Sequence, residues 1–388
     1  MKFDLIKEYH ELKDNGVKII NLGIGEVGFE SPSEIRGVSS KRCFSDKICY
    51  TSEKGMRALR EKLANYVNTK FGCKCTYENV LVTNGARQAL FDVFFSILET
   101  NDEVIVIRPG WSGYEDIVKS LGGKIKPVML QKANEFFISA EKVISEISDK
   151  TKAIIINTPA NPFGNNVKKN ELKKVIEASH MHDIKLILDV VYQDCGLCNE
   201  LLELNDFSLE QLRNVILVDS FSKRYAMSGW RIGYLIATKE LVEKAAMTQK
   251  LVTNNVNTLS QYALMTEFDD EKYLLKRRKA LISNYEWLQR FYASHNYIKE
   301  LNDSKNIYYT CIKLSGISGH EYIMFAEKLL REFNVLVAFF EFENDYFLRL
   351  SFACPTKTLM EGLECIDRCY NTMHKGRLME GEICTEKK

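Results

Sequence analysis

The sequence predicts an α/β protein in which a large domain has a mostly parallel seven-stranded sheet between helices and a smaller domain is α+β. Between residues 79 and 236, apolar β-rich runs alternate with amphipathic stretches that have helical spacing. Two of these runs, in AIIIN and LILDV, are continuously apolar up to Asn157 and Asp189, which is typical of strands buried on both faces of a sheet. After about residue 240 the pattern changes to long helical stretches followed by short strands.

The strands of the large sheet are predicted at seven apolar runs, residues 79–82, 103–107, 124–128, 152–156, 185–189, 214–219 and 231–236. Most of these runs are separated by stretches in which apolar residues recur every third or fourth position, at residues 86–98, 114–121, 140–147 and 168–180. A strand, a helix and a further strand in succession form a right-handed crossover between parallel strands. The sheet is therefore expected to be parallel over most of its width.

The smaller domain is predicted from the rest of the chain. Residues 241–294 have helical spacing almost throughout, and short strands and helices follow at 308–313, 321–332, 335–340, 346–352 and 356–373. We expect this domain to be built from both termini. The predicted boundaries are 35–255 for the large domain and 1–34 with 256–388 for the small domain.

The composition excludes several classes of protein. The chain has 388 residues, 45% hydrophobic and 27% charged, which is typical of a soluble globular protein with an ample core. Its 53 basic and 52 acidic residues leave a net charge of +1, so no nucleic-acid surface is indicated. The sequence has no uninterrupted apolar run of about 18 residues, and the charged N-terminus lacks the apolar segment of a signal peptide. Neither a membrane span nor a secretion signal is predicted.

The 11 cysteines are scattered along the chain, and Cys195 and Cys198 form a CGLC pair. A zinc site would need a second pair at suitable spacing, and none is present. A redox pair would open a helix after a strand, whereas an acidic, leucine-rich stretch follows CGLC. We therefore predict reduced, mostly buried thiols of a cytoplasmic protein, and no metal site.

The segment DSFSKRYAMSGWRIGY, residues 219–234, is the most informative of the chain. Lys223 lies just beyond the carboxyl end of a predicted buried strand, where α/β sheets place ligands. A desolvated lysine there can act as a nucleophile towards a carbonyl group. Arg231 lies between Gly229 and Gly233, whose small size permits a bidentate approach to a phosphate. The alternative is a lysine and an arginine in a surface loop.

Two further strand ends carry polar side chains. Asp189 ends the apolar run LILDV, where a buried carboxylate needs a partner such as a cationic ring nitrogen, and Tyr192 follows three residues later. Asn161 lies in the rigid turn NTPANPFG and would be presented as a hydrogen-bond donor. The alternatives are a helix N-cap or a structural salt bridge for Asp189, and a turn without function for Asn161.

Two other strand ends precede helices. In VTNGARQAL, Gly85 turns the chain into a helix whose first N–H groups can bind an anion. In PGWSGY, Trp111 follows a strand and can stack on a planar ligand. Alone, the first is a common turn and the second a common packed aromatic residue.

Taken together, these strand ends resemble those of the fold-type I enzymes that use pyridoxal 5′-phosphate. The sequence is similar to the class I/II aminotransferases, the aspartate aminotransferase superfamily, from Ile20 to about Cys354. The match is most specific in FSKRYAMSGWRIGY. NLGIGEVGF is similar to the N-terminal segment of the family but has Val27 and Gly28 where the family usually has Pro and Asp.

The resemblance implies that Lys223 forms a Schiff base with the cofactor and moves protons, and that Asp189 pairs with the pyridine nitrogen. Ala86 stands where the family often has a hydroxyl, so one phosphate contact is missing. Tyr50 is implied to reach the cofactor of a neighbouring subunit, which predicts a homodimer with shared active sites. The other residues implied to bind the cofactor are Gly85, Ala86, Arg87, Trp111, Asn161, Tyr192, Ser220, Ser222 and Arg231.

The resemblance also implies a substrate site. Arg349 lies in FLRLSF, which is similar to the family's R-x-S segment, where an arginine binds the α-carboxylate of the substrate. Gly25 would offer a backbone N–H to the same carboxylate, and Asn161 is also assigned to the substrate. The alternative for Arg349 is a solvated arginine on a strand.

The implied reaction is transfer of the α-amino group of an L-amino acid to a 2-oxo acid by a ping-pong mechanism. The same residues also serve other pyridoxal-phosphate reactions on amino acids, so a β-lyase, a cyclase or an oxidase/hydroxylase of a biosynthetic pathway is the second interpretation. A non-catalytic regulator would be expected to lose Lys223 or Asp189, and both are present.

The side chain of the substrate is not determined by the sequence. An acidic substrate would need a second cationic group, for which Arg87 and Arg224 are candidates. Tyr225, Phe29 and Tyr114 are equally candidates for an aromatic or aliphatic pocket.

Overall fold

A computed structural model describes residues 4–45, 47–198, 200–266, 270–300 and 305–385. The chain divides into two compact units. The large unit comprises Phe29–Arg278 and Ser304–Ile307, and the small unit comprises Met1–Gly28, Lys279–Asp303 and Tyr308–Lys388. The domain boundaries given above stay a prediction.

The strands, in chain order, are β1 (Ile20–Asn21), β2 (Val80–Thr83), β3 (Glu103–Arg108), β4 (Lys124–Met129), β5 (Thr151–Asn157), β6 (Lys185–Asp189), β7 (Val215–Ser220), β8 (Gly233–Ile236), β9 (Ile298–Glu300), β10 (Tyr309–Leu314), β11 (Val335–Leu336), β12 (Ala338–Phe342) and β13 (Asp345–Ser351).

The α-helices are α1 (Leu5–Asp14), α2 (Ser33–Ser45), α3 (Arg57–Phe71), α4 (Ala86–Ile97), α5 (Gly113–Ser120), α6 (Ala140–Ser145), α7 (Lys169–Met181), α8 (Phe221–Arg224), α9 (Lys239–Thr253), α10 (Thr258–Ala263), α11 (Glu271–Ser294), α12 (Glu321–Phe333) and α13 (Thr356–Thr385). None of the helices in the described part of the chain is long and apolar enough to span a membrane.

The large unit contains the predicted seven-stranded sheet, in the order β2-β8-β7-β6-β5-β3-β4. Its strands are parallel except β8, which is antiparallel to both β2 and β7. Because β8 runs the other way, its first residue is paired with the last residues of its neighbours, Thr83 of β2 and Ser220 of β7. The predicted α/β fold class is confirmed, and the start of β8 lies at the same edge of the sheet as the ends of the parallel strands.

The strand predicted at 231–236 begins two residues later, at Gly233. Arg231 is not extended but has a φ of 52° and ends a short 3₁₀ turn. A Cβ at position 233 would lie 2.7 Å from the Asp219 carbonyl oxygen and 3.0 Å from the Ala86 nitrogen. Glycine is therefore required where β8 passes between β7 and the start of α4.

Apolar side chains of helices and strands form the core of the large unit. Leu90, Val93 and Phe94 of α4 pack in one cluster with strand residues such as Ile155 and Ile187. Each of these side chains is almost completely buried. The cluster covers one face of the sheet and holds the amino end of α4 against it.

The small unit is α+β. An antiparallel sheet has the order β12-β13-β10-β9, and β1 pairs in parallel with β11. The stretch predicted as one strand at 335–340 divides into β11 and β12, and the last helix extends beyond residue 373 to Thr385. The helical stretch predicted at residues 241–294 is divided into three separate helices, α9, α10 and α11.

Candidate active site

Asp189 ends β6 as a buried carboxylate, with only 3% of its surface exposed. The Tyr114 hydroxyl donates to its Oδ2 at 2.6 Å, and the Val191 amide donates to its Oδ1 at 3.2 Å. Burial raises the pKa of Asp189 to about 6, although these two hydrogen bonds and the nearby Lys223 lower it. The site therefore contains a carboxyl group that a cationic partner would stabilise in its charged form.

Asn161 is held to the same strand end through the side chain of Asn157. Asn157 pairs with Asp189 across β5 and β6, and its side-chain nitrogen donates to the Asp189 carbonyl at 2.9 Å. The Asn157 side-chain oxygen accepts the Asn161 amide at 2.8 Å. Asn161 is buried, so its turn is a fixed part of the site and not a loose loop. Tyr192 is also buried and lies in the turn that follows β6.

Lys223 lies in α8, directly after β7, and is half-buried. The Ser220 hydroxyl caps this short helix by accepting the Ser222 amide at 3.0 Å, and the two serine hydroxyls are 2.8 Å apart. Both serines are buried. The cap fixes where the helix starts and therefore where Lys223 leaves the backbone.

Gly85 and Arg231 form the predicted anion cradle at the start of α4. Gly85 is the N-cap with a φ of 83°, and Ala86 is the first residue of the helix. The Arg231 guanidinium donates to the carbonyls of Ser228 (2.8 Å) and Asn84 (3.1 Å). A Cβ at position 85 would lie 2.9 Å from Arg231 Nη2. The absence of a side chain at Gly85 thus lets a cationic group lie beside a helix N-terminus, which is a favourable place for a phosphate.

The Gly85 amide itself donates to the Thr83 carbonyl at 2.8 Å. The remaining groups of the cradle are Arg231, the Ser220 and Ser222 hydroxyls and the first turn of α4.

Trp111 lies half-buried in the loop between β3 and α5. Its ring meets the Tyr114 ring edge to face at 5.1 Å between centroids, and the Arg87 guanidinium lies 4.7 Å from the Trp111 ring. A Cβ on Gly113 would come within 2.2 Å of the indole, so glycine makes room for it. Arg87 is exposed, and its guanidinium stacks on the indole as a cation on an aromatic ring.

The sequence did not identify Tyr114 as the partner of Asp189. The signal that could have found it is a tyrosine three residues after Trp111, on the first turn of the helix that follows β3, two strands from β6 in the sheet. Arg224, a candidate for an acidic substrate, is 2% exposed and pairs instead with Asp219 at 3.3 Å and with the Tyr66 hydroxyl. The structure therefore places Arg224 in a buried network. It lies in the same short helix as Lys223, α8, which we call the lysine turn.

Tyr50 lies on the surface of the large unit, with 86% of its side chain exposed. Of the CGLC pair, Cys195 is buried and Cys198 is half-buried. Burial raises the pKa of Cys195, which keeps its thiol protonated. No group of three or more His, Cys, Asp or Glu side chains in the described residues could hold a metal ion.

In the small unit, Arg349 of β13 is next to the segment that contains Gly25. Its Nη2 donates to the Gly23 carbonyl at 2.6 Å, and its guanidinium lies 4.2 Å from the Tyr309 ring. The Asn21 side chain accepts the amides of Gly23 (3.1 Å) and Ile24 (2.8 Å). The structure thus brings together Arg349 and the backbone segment that the sequence assigned to the same carboxylate.

The departure at Gly28 has a packing reason. The Gly28 amide donates to the Ala353 carbonyl at 2.7 Å, and a Cβ at position 28 would lie 3.0 Å from the Cys354 Cβ. An aspartate there would need the Cys354 segment to move.

The model of the family described as aminotransferase class I and II matches residues 17–366. The (5-formylfuran-3-yl)methyl phosphate transaminase of Methanocaldococcus jannaschii is 31% identical over 378 residues, covering 95% of this chain and 96% of the relative. The aspartate aminotransferase of Thermotoga maritima is 29% identical over 366 residues, covering 92% of this chain and 93% of the relative.

Among solved structures, the aspartate aminotransferase of Thermus thermophilus with maleate superposes with a TM-score of 0.83. It is 27% identical, and the match covers 94% of this chain and 95% of that chain. The similarity in sequence and in fold therefore extends over both units.

Proposed function

The chain belongs to the aminotransferase class I and II family and is an aminotransferase, and on this premise we propose that it uses pyridoxal 5′-phosphate, attached to Lys223, to move the α-amino group of an L-amino acid to a 2-oxo acid. We propose a ping-pong mechanism, in which the 2-oxo acid formed from the first amino acid leaves before the second substrate binds. The observation that carries this proposal is the buried Asp189 carboxyl group, with Lys223 close enough to lower its pKa.

The described residues fit the cofactor. A protonated pyridine nitrogen would meet the need of Asp189 for a cationic partner, since burial raises the pKa of this carboxyl. The phosphate would be held by Arg231, Ser220, Ser222 and the amino end of α4, where the lack of a Cβ at Gly85 leaves space beside the guanidinium.

The remaining roles follow from the chemistry of each side chain. Trp111 would pack on the face of the ring, and Asn161 and Tyr192 would hydrogen-bond the ring oxygen. When bound, pyridoxal phosphate supplies an electron sink that makes the α-hydrogen of the amino acid acidic. Asp189 keeps the proton on the ring nitrogen, and Lys223 Nζ moves the proton from the substrate α-carbon. Arg349 and the Gly25 amide would bind the α-carboxylate.

The substrate class is a finer proposal. Named relatives act on aspartate, and one solved relative contains maleate, a dicarboxylate. Of the two arginines considered for an acidic side chain, Arg224 is buried in an ion pair and Arg87 is exposed over Trp111. We propose an acidic amino acid as one substrate, recognised by Arg87. The name of another relative contains a phosphorylated aldehyde, which is an alternative amino-group acceptor to assay beside the 2-oxo acids.

We also propose that the chain is a homodimer in which Tyr50 reaches the partner's cofactor. Large apolar side chains are exposed on two neighbouring segments, Phe44 and Tyr50 before α3 and Leu251 at the end of α9. The two segments are joined by a hydrogen bond from the side-chain nitrogen of Asn255, just after α9, to Thr51 Oγ1 at 3.3 Å. An exposed apolar patch of this kind is typical of a subunit interface.

We also propose that the chain is a cytoplasmic enzyme of amino-acid metabolism and biosynthesis, and its cysteines support the compartment. Ten described cysteines are free thiols, which persist in a reducing compartment.

The decisive experiment is an absorbance titration of the purified protein. We expect a visible band from the attached cofactor that Lys223→Ala loses. An L-amino acid should bleach the band without any 2-oxo acid present, and a 2-oxo acid should restore it. Absence of the band after addition of cofactor would refute the assignment, and release of ammonia would favour a lyase instead.

Sedimentation of the wild type and of Leu251→Glu tests the proposed dimer. We expect the wild type to sediment as a dimer and the charged variant to dissociate.

A further inference from the structure

A buried arginine outside the proposed cofactor site contacts the backbone of the lysine turn. Arg277 lies in α11, within the large unit, and only 6% of its surface is exposed. Its Nη1 donates to the Lys223 carbonyl at 3.1 Å and also to the Arg224 carbonyl. Its Nη2 donates to the Asp194 carbonyl. One side chain therefore binds three backbone oxygens.

These oxygens belong to two separate segments of the site. The first is the four-residue helix α8, whose last carbonyls have no further helical turn to donate hydrogen bonds to them. The second is the turn after β6, where Asp194 follows Tyr192 by two residues and has a φ of 59°. Arg277 thus links the segment of Lys223 to the segment of Asp189 and Tyr192 through a single planar group.

The surroundings fix the second segment further. The Asp194 carboxylate forms ion pairs with Lys70 at 3.0 Å and with Arg278 at 2.5 Å. Burial raises the pKa of Asp194, but Lys70, Arg224 and Arg278 together lower it below its ordinary value. The carboxylate stays charged, so this turn is anchored from both its side chain and its carbonyl.

We propose that Arg277 is a positioning residue for the reaction, one that holds the Lys223 turn in register with the Asp189–Tyr192 turn. This inference rests on the proposed function, because it assigns Lys223 and Asp189 their roles. The guanidinium is suited to the task, since its planar donors reach several oxygens at once in fixed directions. A lysine offers a point charge and cannot span the same three carbonyls.

Arg60 provides a matched control. It is also in the large unit, 8% exposed, and donates to one backbone carbonyl, that of Tyr77, at 3.2 Å. Replacing either arginine by methionine removes a buried guanidinium and keeps much of the apolar stem. Both variants lose a buried guanidinium, but only Arg277→Met removes hydrogen bonds from the lysine turn.

The first measurement is amide hydrogen exchange of the full-length chain, without added cofactor, followed by mass spectrometry. The Tyr225 amide donates to the Phe221 carbonyl across α8 at 3.1 Å. We expect exchange of the peptide containing it to be at least about tenfold faster in Arg277→Met than in the wild type. Exchange should be unchanged in Arg60→Met. Because no cofactor is involved, this result is independent of the proposed function.

The second measurement is the kinetics of the cofactor-loaded protein. Misplacement of a reacting group by about 1 Å can cost roughly 10²-fold in rate, so we expect Arg277→Met to lower kcat by about 10- to 100-fold with little change in KM. The pH midpoint of the cofactor's visible band should shift in Arg277→Met and not in Arg60→Met. Arg277→Lys should recover part of the lost kcat and part of the shift in pH midpoint. If Arg277→Met does not fold, the same measurements on Arg277→Lys test the proposal.

The proposal is overturned if the Arg277 variants keep the wild-type exchange rate and pH midpoint, or if Arg60→Met changes both to the same extent. A wild type that binds no cofactor would instead refute the proposed function, while faster exchange in Arg277→Met would still show that Arg277 holds the turn.

Discussion

Two neighbouring strands of the large sheet have an aspartate at or next to their last residue, and the two carboxylates have opposite surroundings. Asp219, near the end of β7, accepts hydrogen bonds from the Arg224 guanidinium at 3.3 Å and the Tyr234 hydroxyl at 2.8 Å. Asp189, at the end of β6, is held by the Tyr114 hydroxyl and one amide. Both are almost completely buried, but in the described residues only Asp219 forms an ion pair.

This difference separates a structural carboxylate from one that is available to a ligand. Burial of a charge is costly unless a partner of opposite charge compensates for it. Asp219 has its partner within five residues of sequence, whereas burial raises the pKa of Asp189 to about 6. A cationic ligand would compensate for the buried charge of Asp189 as Arg224 compensates for that of Asp219.

The largest effect on stability is expected from breaking the ion pair between Asp219 and Arg224. Asp219→Asn leaves the buried Arg224 without its carboxylate, which should lower the free energy of unfolding by about 3–5 kcal/mol. Urea denaturation of the protein without cofactor measures this loss. A change below about 1 kcal/mol would contradict the structural role of the pair.

Removing the other carboxylate should affect activity more than folding. Asp189→Asn removes the negative charge proposed to hold the ring nitrogen protonated, so we expect kcat to fall by about 10²- to 10³-fold. The same variant should unfold at a urea concentration no lower than the wild type at pH 7, because no paired charge is lost. Normal kcat in Asp189→Asn would show that the carboxylate does not contact the cofactor.

The raised pKa of Asp189 predicts a pH dependence of stability without cofactor. The ordinary pKa of aspartate is about 3.9, and the folded value is about 6, so the folded state holds this proton more tightly between these values. The stability that Asp189 contributes is present below about pH 4 and is lost as pH rises through 6, by up to about 3 kcal/mol. Urea denaturation across this range should show the wild type losing stability relative to Asp189→Asn as pH rises. A constant difference would show that the two pKa values are equal.

The smallest effect concerns the two arginines and specificity. Arg87 is exposed over Trp111, whereas Arg224 is buried with Asp219. If Arg87 recognises an acidic side chain, Arg87→Gln should lower kcat/KM for aspartate by about tenfold, or about 1.4 kcal/mol, and leave alanine unaffected. An equal loss for both substrates would assign Arg87 to the cofactor alone.

Much of the fold and of the candidate site could be predicted from the sequence, because its signals are local. The bounds of β6 match the prediction residue for residue, since an apolar run that ends in a polar residue marks where a buried strand ends. The start of the strand predicted at 231–236 was placed two residues too early. Ile232 is also apolar, and only the close approach of Asp219 and Ala86 to Gly233 sets where the strand starts.

The sequence by itself determined the order of strands and helices and which polar residues lie at strand ends, because periodicity and turn residues act over a few positions. Only the tertiary structure decided their partners. Tyr114 is 75 residues from Asp189, and Arg277 is 54 residues from Lys223. Such pairs form because the sheet order brings distant segments to one edge, and burial then makes each polar group bind whichever partner lies there.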